Sequence, residues 1–194
     1  MTSRFAACRL PALAAALVAL SACVSATPPA VAPSGPAPKL PGRVVWTDGH
    51  NPIAVAQAGS AICPATSAAM AAQGLAATNA QRRAAGLPPL AGNRSLDAAA
   101  AAHACDMARR GTMTHQGTTT SGPMARAKAH GYRPQLIAEN IAAGRFEISG
   151  VLAQWNASPK HRENIEIPSM RDFGIGMATA ADGKTTFWTA VYAK

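Results

Sequence analysis

Histidines, carboxylates and cysteines carry most of the chemistry open to this chain, which has five His, nine Asp plus Glu and four Cys in 194 residues. H-E-x-x-H, a P-loop and G-x-G-x-x-G are all missing, and Ser121 lies in no G-x-S-x-G, so a helix cap is its expected role. His115, Glu139 and His161 are the residue types for three readings. Two imidazoles and a carboxylate suit a divalent cation such as Zn2+ with one position left open. The same groups suit acid–base work, because an imidazole titrates near neutrality. In the third reading Glu139 ties down loop N–H groups and both histidines bond to it as structural partners. The three are separated by 23 and 21 intervening residues, a spacing with no metal signal of its own. The remaining histidines read more simply. His103 lies on an apolar helical stripe and is expected as a satisfied core imidazole. His130, beside Gly131, is expected at a helix C-terminus, and His50 in solvent. Asn79 and Asn164 are expected to brace turns.

These side chains need elements to position them. Thr66 or Ser67 can cap a helix that runs to about residue 85, where Gly86 and Pro88 stop it. Gly74 falls inside that pattern and weakens it. Ser95 can cap a second helix in which Leu96, Ala100, His103 and Met107 share one face, and Gly111 ends it. Residues 113–122 read as a polar loop, 123–130 as a short helix, 136–143 as another, and 147–158 as a clearer helix that Pro159 ends. The period then changes. Phe173, Ile175 and Met177 alternate with glycines, Asp182-Gly183 signals a hairpin turn, and residues 185–192 are β-branched and aromatic. Helices first and an antiparallel hairpin last make an α+β layout.

The amino terminus reads as an address. Arg4 and Arg9 precede an apolar run over residues 10–20, of signal-peptide length and too short for a membrane span. The run ends in Leu20-Ser21-Ala22-Cys23, which resembles a bacterial lipobox. The expectation is cleavage after Ala22 and lipid on Cys23, with an ordinary secretory cleavage as the alternative. Val24 resembles the pattern for onward sorting to an outer membrane. The domain expectation is a signal peptide over 1–22, a proline- and alanine-rich tether and linker over 23–61, and a folded domain over 62–194. Within the linker, Val44, Val45 and Trp46 are a candidate short strand or docking segment. Export favours a Cys63–Cys105 disulfide, against two free buried thiols.

Composition limits the partners. Charged residues are 14%, aromatics 5%, and the formal net charge is +9. Loss of Arg4 and Arg9 with the leader leaves +7. Arg82-Arg83 and Arg109-Arg110 are the only basic pairs, and aromatics are too few for a stacking platform, so nucleic acid is not expected. An anionic membrane or cell-wall polymer is the better match for the charge. A monomer is expected.

Six stretches together resemble the CAP superfamily of cysteine-rich secretory, antigen 5 and pathogenesis-related proteins, in its short bacterial branch. They are LAATNAQRRAAGLPPL, SLDAAAAAHACDMARRGTMTHQG, AENIAAG, QWNASPKHRENI, DFGIGMA and FWTAVYA, in family order. The resemblance implies a three-layer α-β-α sandwich around a central antiparallel sheet. It matches His115 to the first histidine of the family's cleft and Glu139 to its first glutamate. Phe187 stands where larger members place a second histidine, and Ser158 where they place a second glutamate. His161, in SPKHRENI, is the histidine of the bacterial branch. The expectation is an exported, lipid-anchored envelope protein whose CAP-like domain binds a lipid, glycan or cell-wall ligand in a cleft at His115 and Glu139. A divalent-metal-dependent hydrolase using His115, Glu139 and His161 is one alternative, and a purely structural envelope component is the other.

Overall fold

The computed structural model describes residues 51–194. The leader, Cys23, Val44 to Trp46, His50 and most of the tether lie outside the described residues. Described structure begins earlier than Ile62. The short strand β1 (Ile53–Ala54) pairs antiparallel with β3 (Thr112–Met113), and the Val55 and Ala56 amides both donate to the Gly111 carbonyl. Part of the expected linker therefore belongs to the domain.

Helix α1 spans Ala68–Ala84, and the Ser67 hydroxyl accepts from the Met70 amide at its start. Gly74 does not break it. A Cβ there would crowd Ile175 and Phe173 at 3.1 Å, so the glycine lets α1 lie close on the sheet. Helix α2 spans Arg94–Arg110 and is capped by Asn93 rather than Ser95. The Asn93 side chain accepts from both the Ser95 and Leu96 amides, one of the orphan-donor solutions available to an Asx residue. Gly111, left-handed at φ 62°, closes it. Helix α3 (Pro123–Ala129) carries no side-chain cap, so Ser121 does not perform the expected role, and His130 is the C-cap that follows it.

Two expectations fail in the second half. Residues 136–143 form no helix. They fall mostly within strand β4 (Ile137–Gly144), which pairs residue for residue with β6 (Thr186–Ala193). Pro159 does end α4 (Ile148–Ala157), but it also opens α5 (Pro159–Ile165), at the first helical position where its missing N–H costs nothing. The hairpin forms as read. β5 (Asp172–Thr179) pairs antiparallel with β6, and Asp182 accepts from the Lys184 and Thr185 amides in the turn.

The main sheet has the order β2-β5-β6-β4, with β2 (Ala91–Gly92) a parallel two-residue edge on an otherwise antiparallel sheet. Its faces divide the core. Phe173, Ile175, Trp188, Ala190 and Tyr192 point to the layer of α1, α4 and α5, with Trp155 and Ile165. Ile141, Ala143, Ala178 and Phe187 point the other way, onto α2 with Ala104 and Met107. The result is the α-β-α sandwich. On the α2 side Gly174 and Gly176 let the helix backbone touch the strand: a Cβ on Gly176 would overlap the Ala101 backbone. Cys63 and Cys105 form a disulfide that ties the segment before α1 to α2.

Both long-strand edges are occupied by side chains. Ile175 accepts from the Thr66 hydroxyl at 2.6 Å and donates to Asp97 at 2.9 Å. On β4, the Ile141 carbonyl accepts from Trp155 and the Glu139 carbonyl from Asn164. Such cover removes the template that an open edge offers to another chain.

Candidate functional site

Strand alternation decides where Glu139 goes. Ile137, Glu139 and Ile141 share the face toward α2 and α3, whereas Ala138, Asn140 and Ala142 share the opposite one. Glu139 is consequently sealed under α2 and α3 with its side chain 1% exposed. A buried carboxylate needs a cation and donors. Arg126, on α3, supplies both: its Nη2 donates to Oε1 at 2.7 Å and to Oε2 at 2.6 Å. His115 Nδ1 lies 2.9 Å from Oε1. An ionised carboxylate only accepts, so Nδ1 carries the proton and Nε2 is left as the acceptor of the neutral ring. The His115 side chain is 25% exposed, the one member of the group that reaches solvent to this extent.

The loop that carries His115 is held from two sides. Arg126 Nη1 donates to the His115 carbonyl at 3.0 Å. His103, in α2, donates from Nε2 to the Thr114 carbonyl at 2.9 Å and stands 3.8 Å from Glu139 Oε1. His103 is a core imidazole as expected, but it also belongs to this group. Burial, with Arg126 adding to it against the pull of Glu139, brings its pKa down to about 4, so it is neutral at pH 7. For Glu139, burial pushes the carboxyl up, and His103, the His115 hydrogen bond and the Arg126 guanidinium outweigh it and hold the group below its ordinary range.

His161 does not join His115 and Glu139. It is buried on α5, in the layer across the sheet, where its backbone carbonyl accepts from the Asn140 side chain at 3.0 Å. Asn140 faces that layer because it is the strand neighbour of Glu139, and it also reaches the Tyr192 hydroxyl at 3.3 Å. Asn164 links the Glu139 carbonyl to the Asn140 side chain, so it braces the strand rather than a turn. Asn79 does brace a turn, through both the N–H and the carbonyl of Leu90. Among the described residues no group of three or more His, Cys, Asp and Glu is placed to hold a metal ion. The expected set of His115, Glu139 and His161 is thus divided, and both Glu139 oxygens are already engaged.

Arg126 is the residue that sequence reasoning missed. It is one of two cations, with Lys128, in an alanine-rich seven-residue helix, and no motif surrounds it. For His103 the signal was present: an imidazole on a buried stripe must find partners. Arg82, one of the two basic pairs, is also internal. It donates to the carbonyls of Pro88, Ile165 and Ile167 and so closes the α5 turn.

The comparisons agree with this architecture. The sequence pattern of the cysteine-rich secretory protein family, CAP, matches residues 75–192. The uncharacterized protein YkwD of Bacillus subtilis is 32% identical over 112 residues, covering 58% of this chain and 42% of YkwD. A Bacillus anthracis structure described as an extracellular protein containing an SCP domain superposes with TM-score 0.58 at 27% identity, over 65% of this chain and 40% of that one. This chain therefore spans less than half the length of either Bacillus relative. An outer surface protein of Borrelia burgdorferi has the same fold, with TM-score 0.58, 20% identity and coverage of 66% of this chain and 95% of its own. With the family pattern over most of the described domain and the sandwich it requires in place, this chain belongs to the CAP family of cysteine-rich secretory proteins.

Proposed function

We propose that this protein is exported to the bacterial envelope, held at a membrane by lipid on Cys23, and uses its CAP domain as a non-enzymatic ligand-binding module at His115. One observation carries the binding reading: the partly exposed His115 ring is fixed by a buried Glu139–Arg126 pair whose two carboxylate oxygens are both engaged. A carboxylate so engaged is poorly suited to take a proton from substrate or to ligate a cation. It is well suited to hold one imidazole in one tautomer, with Nε2 presented as an acceptor. That acceptor suits a hydroxyl-bearing ligand such as a glycan.

The leader pattern over residues 1–23 supports export and anchoring, and the Bacillus anthracis relative, described as extracellular, supports export. Two or more acyl chains at Cys23 would give stable membrane attachment, where one binds marginally. The test is co-sedimentation of the mature protein with purified peptidoglycan and with envelope membranes, for wild type and His115→Ala. A variant that folds and loses retention supports the module. Equal retention of wild type and His115→Ala refutes it and leaves a structural envelope component. Intact mass of the membrane-extracted protein tests the anchor, and wild type without acyl mass refutes that part alone.

A further inference from the structure

The loop that follows β3 commits its backbone to α2 and α3 one peptide at a time. The Thr114 carbonyl accepts from His103 Nε2 at 2.9 Å, the His115 carbonyl from Arg126 Nη1 at 3.0 Å, and the Gln116 carbonyl from Arg110 Nη2 at 2.8 Å. Beyond Gly117 the polarity reverses. The Thr118 amide donates to Asp106 Oδ2 at 3.0 Å and the Thr118 hydroxyl to Oδ1 at 2.5 Å. The Gly117 amide then closes the turn on the Thr120 carbonyl at 2.9 Å. Three of the partners, His103, Asp106 and Arg110, stand at i, i+3 and i+7 of α2 and so share one face of the helix.

Asp106 joins these contacts to one another. It takes both donors of Thr118, and its Oδ2 also accepts at 2.7 Å from Arg110 Nη2, the nitrogen that holds Gln116. Without the carboxylate, Thr118 loses both acceptors and Arg110 loses the contact that aims it. Burial pushes the Asp106 carboxyl up, but the two Thr118 bonds and the Arg110 guanidinium outweigh it and hold the group below its ordinary range. It therefore remains an acceptor-only carboxylate at neutral pH. Its side chain is 26% exposed and that of Arg110 31%, so the pair adds little to global stability.

We infer that Asp106 is a positioning residue for His115: by holding Thr118 and Arg110 it fixes residues 116–118, directly after the imidazole, so that the ring meets its ligand already in the orientation that Glu139 selects. Asp106 acts through the loop and makes no hydrogen bond to the ring. The inference rests on the His115 reading for the ligand, while the geometry stands without it. A loop left to order itself on binding weakens affinity, by about tenfold for one or two side chains.

The test compares wild type, Asp106→Ala and Thr118→Val as mature proteins. Asp182→Ala is the control, since Asp182 accepts from the Lys184 and Thr185 amides in a similar way at the β5–β6 turn, away from His115. Nitrogen-15 NMR of the unliganded proteins reads the His115 ring, and retention on purified peptidoglycan reads binding. Asp106→Ala and Thr118→Val are each expected to melt close to wild type, to replace the single Nδ1–H form of His115 by exchange between tautomers, and to be retained about tenfold less. Asp106→Asn, whose amide oxygen can still accept from Thr118, is expected to recover part of both readouts, and Asp182→Ala to match wild type in both. The inference is overturned if the ring signal of Asp106→Ala and Thr118→Val is that of wild type, or if Asp182→Ala alters it as much. If Asp106→Ala does not fold, Thr118→Val decides from the loop side of the same contact. Wild type that peptidoglycan fails to retain, with the ring still altered in the variants, refutes the His115 binding reading and upholds the positioning role.

Discussion

Replacing Arg126 by Met should be among the most damaging single changes in the domain, and its pH dependence should run backwards. Methionine keeps an apolar stem but removes the guanidinium that donates at 2.6 and 2.7 Å to a carboxylate with a side chain 1% exposed. Breaking a buried pair on one side leaves an uncompensated charge, at a cost of about 3–5 kcal/mol. For a domain of this size that lowers the melting temperature by about 10–15 °C. In wild type, Glu139 is held below its ordinary value of 4.5. Its share of stability is therefore complete above that pH and lost as pH falls through the folded value. In Arg126→Met burial dominates and raises the carboxyl. Stability from this group is then complete below about 4.5 and lost as pH rises toward 7. Arg126→Met/Glu139→Met, which removes both charges, should recover most of the loss. The assay is calorimetric melting of wild type, Arg126→Met and the double variant between pH 4 and 7.5. A single variant within about 1 kcal/mol of wild type, or a double variant worse than the single one, would refute the reasoning.

Further outcomes follow from the same geometry. The His103 imidazole, with a pKa near 4, should stay neutral in an NMR titration down to about pH 5. Because that value lies below the unfolded value of 6.5, its share of stability is complete above 6.5 and lost between 6.5 and 4, a loss of about 3 kcal/mol. Replacing both Cys63 and Cys105 by Ser opens a bridge of sequence separation 42 and should cost about 4 kcal/mol, read by denaturant titration. Gly176→Ala should abolish folding or lower stability by more than about 3 kcal/mol, beyond the ~1–3 usual for overpacking, because its Cβ meets the Ala101 backbone and not a side chain that can turn away. A soluble, normally melting Gly176→Ala protein would contradict the close approach of α2 to β5.

The legible parts of this fold were those with a clean local period or a strong stop. Helix α2 shows an apolar stripe and ends at a left-handed glycine, and the β5–β6 hairpin shows alternation around Asp182-Gly183. Strand β4 was illegible for a physical reason. Residues 139–144 are buried on both faces, so alternation vanishes, and its alanines favour helix locally. Pairing with β6, forty-odd residues later in the chain, makes it a strand, and no local window contains that information. The same limit applies to the site. The resemblance pointed to His115 and Glu139 and, through its bacterial branch, to His161, and residue type suggested grouping the three. A one-residue step along β4, from Glu139 to Asn140, sends neighbouring side chains to opposite layers, and His161 meets the second. Arg126 satisfies a charge that becomes buried only in the folded chain, so its role is a consequence of topology.

The protonation of His115 tests the central claim most directly. Nitrogen-15 NMR of the imidazole in the folded protein at neutral pH reports which ring nitrogen holds the proton. The account predicts Nδ1 protonated toward Glu139 and Nε2 bare, with Glu139 ionised. A neutral ring protonated at Nε2, or a protonated Glu139, would contradict it, because the buried pair would then not be what holds His115 ready to accept a ligand's hydrogen.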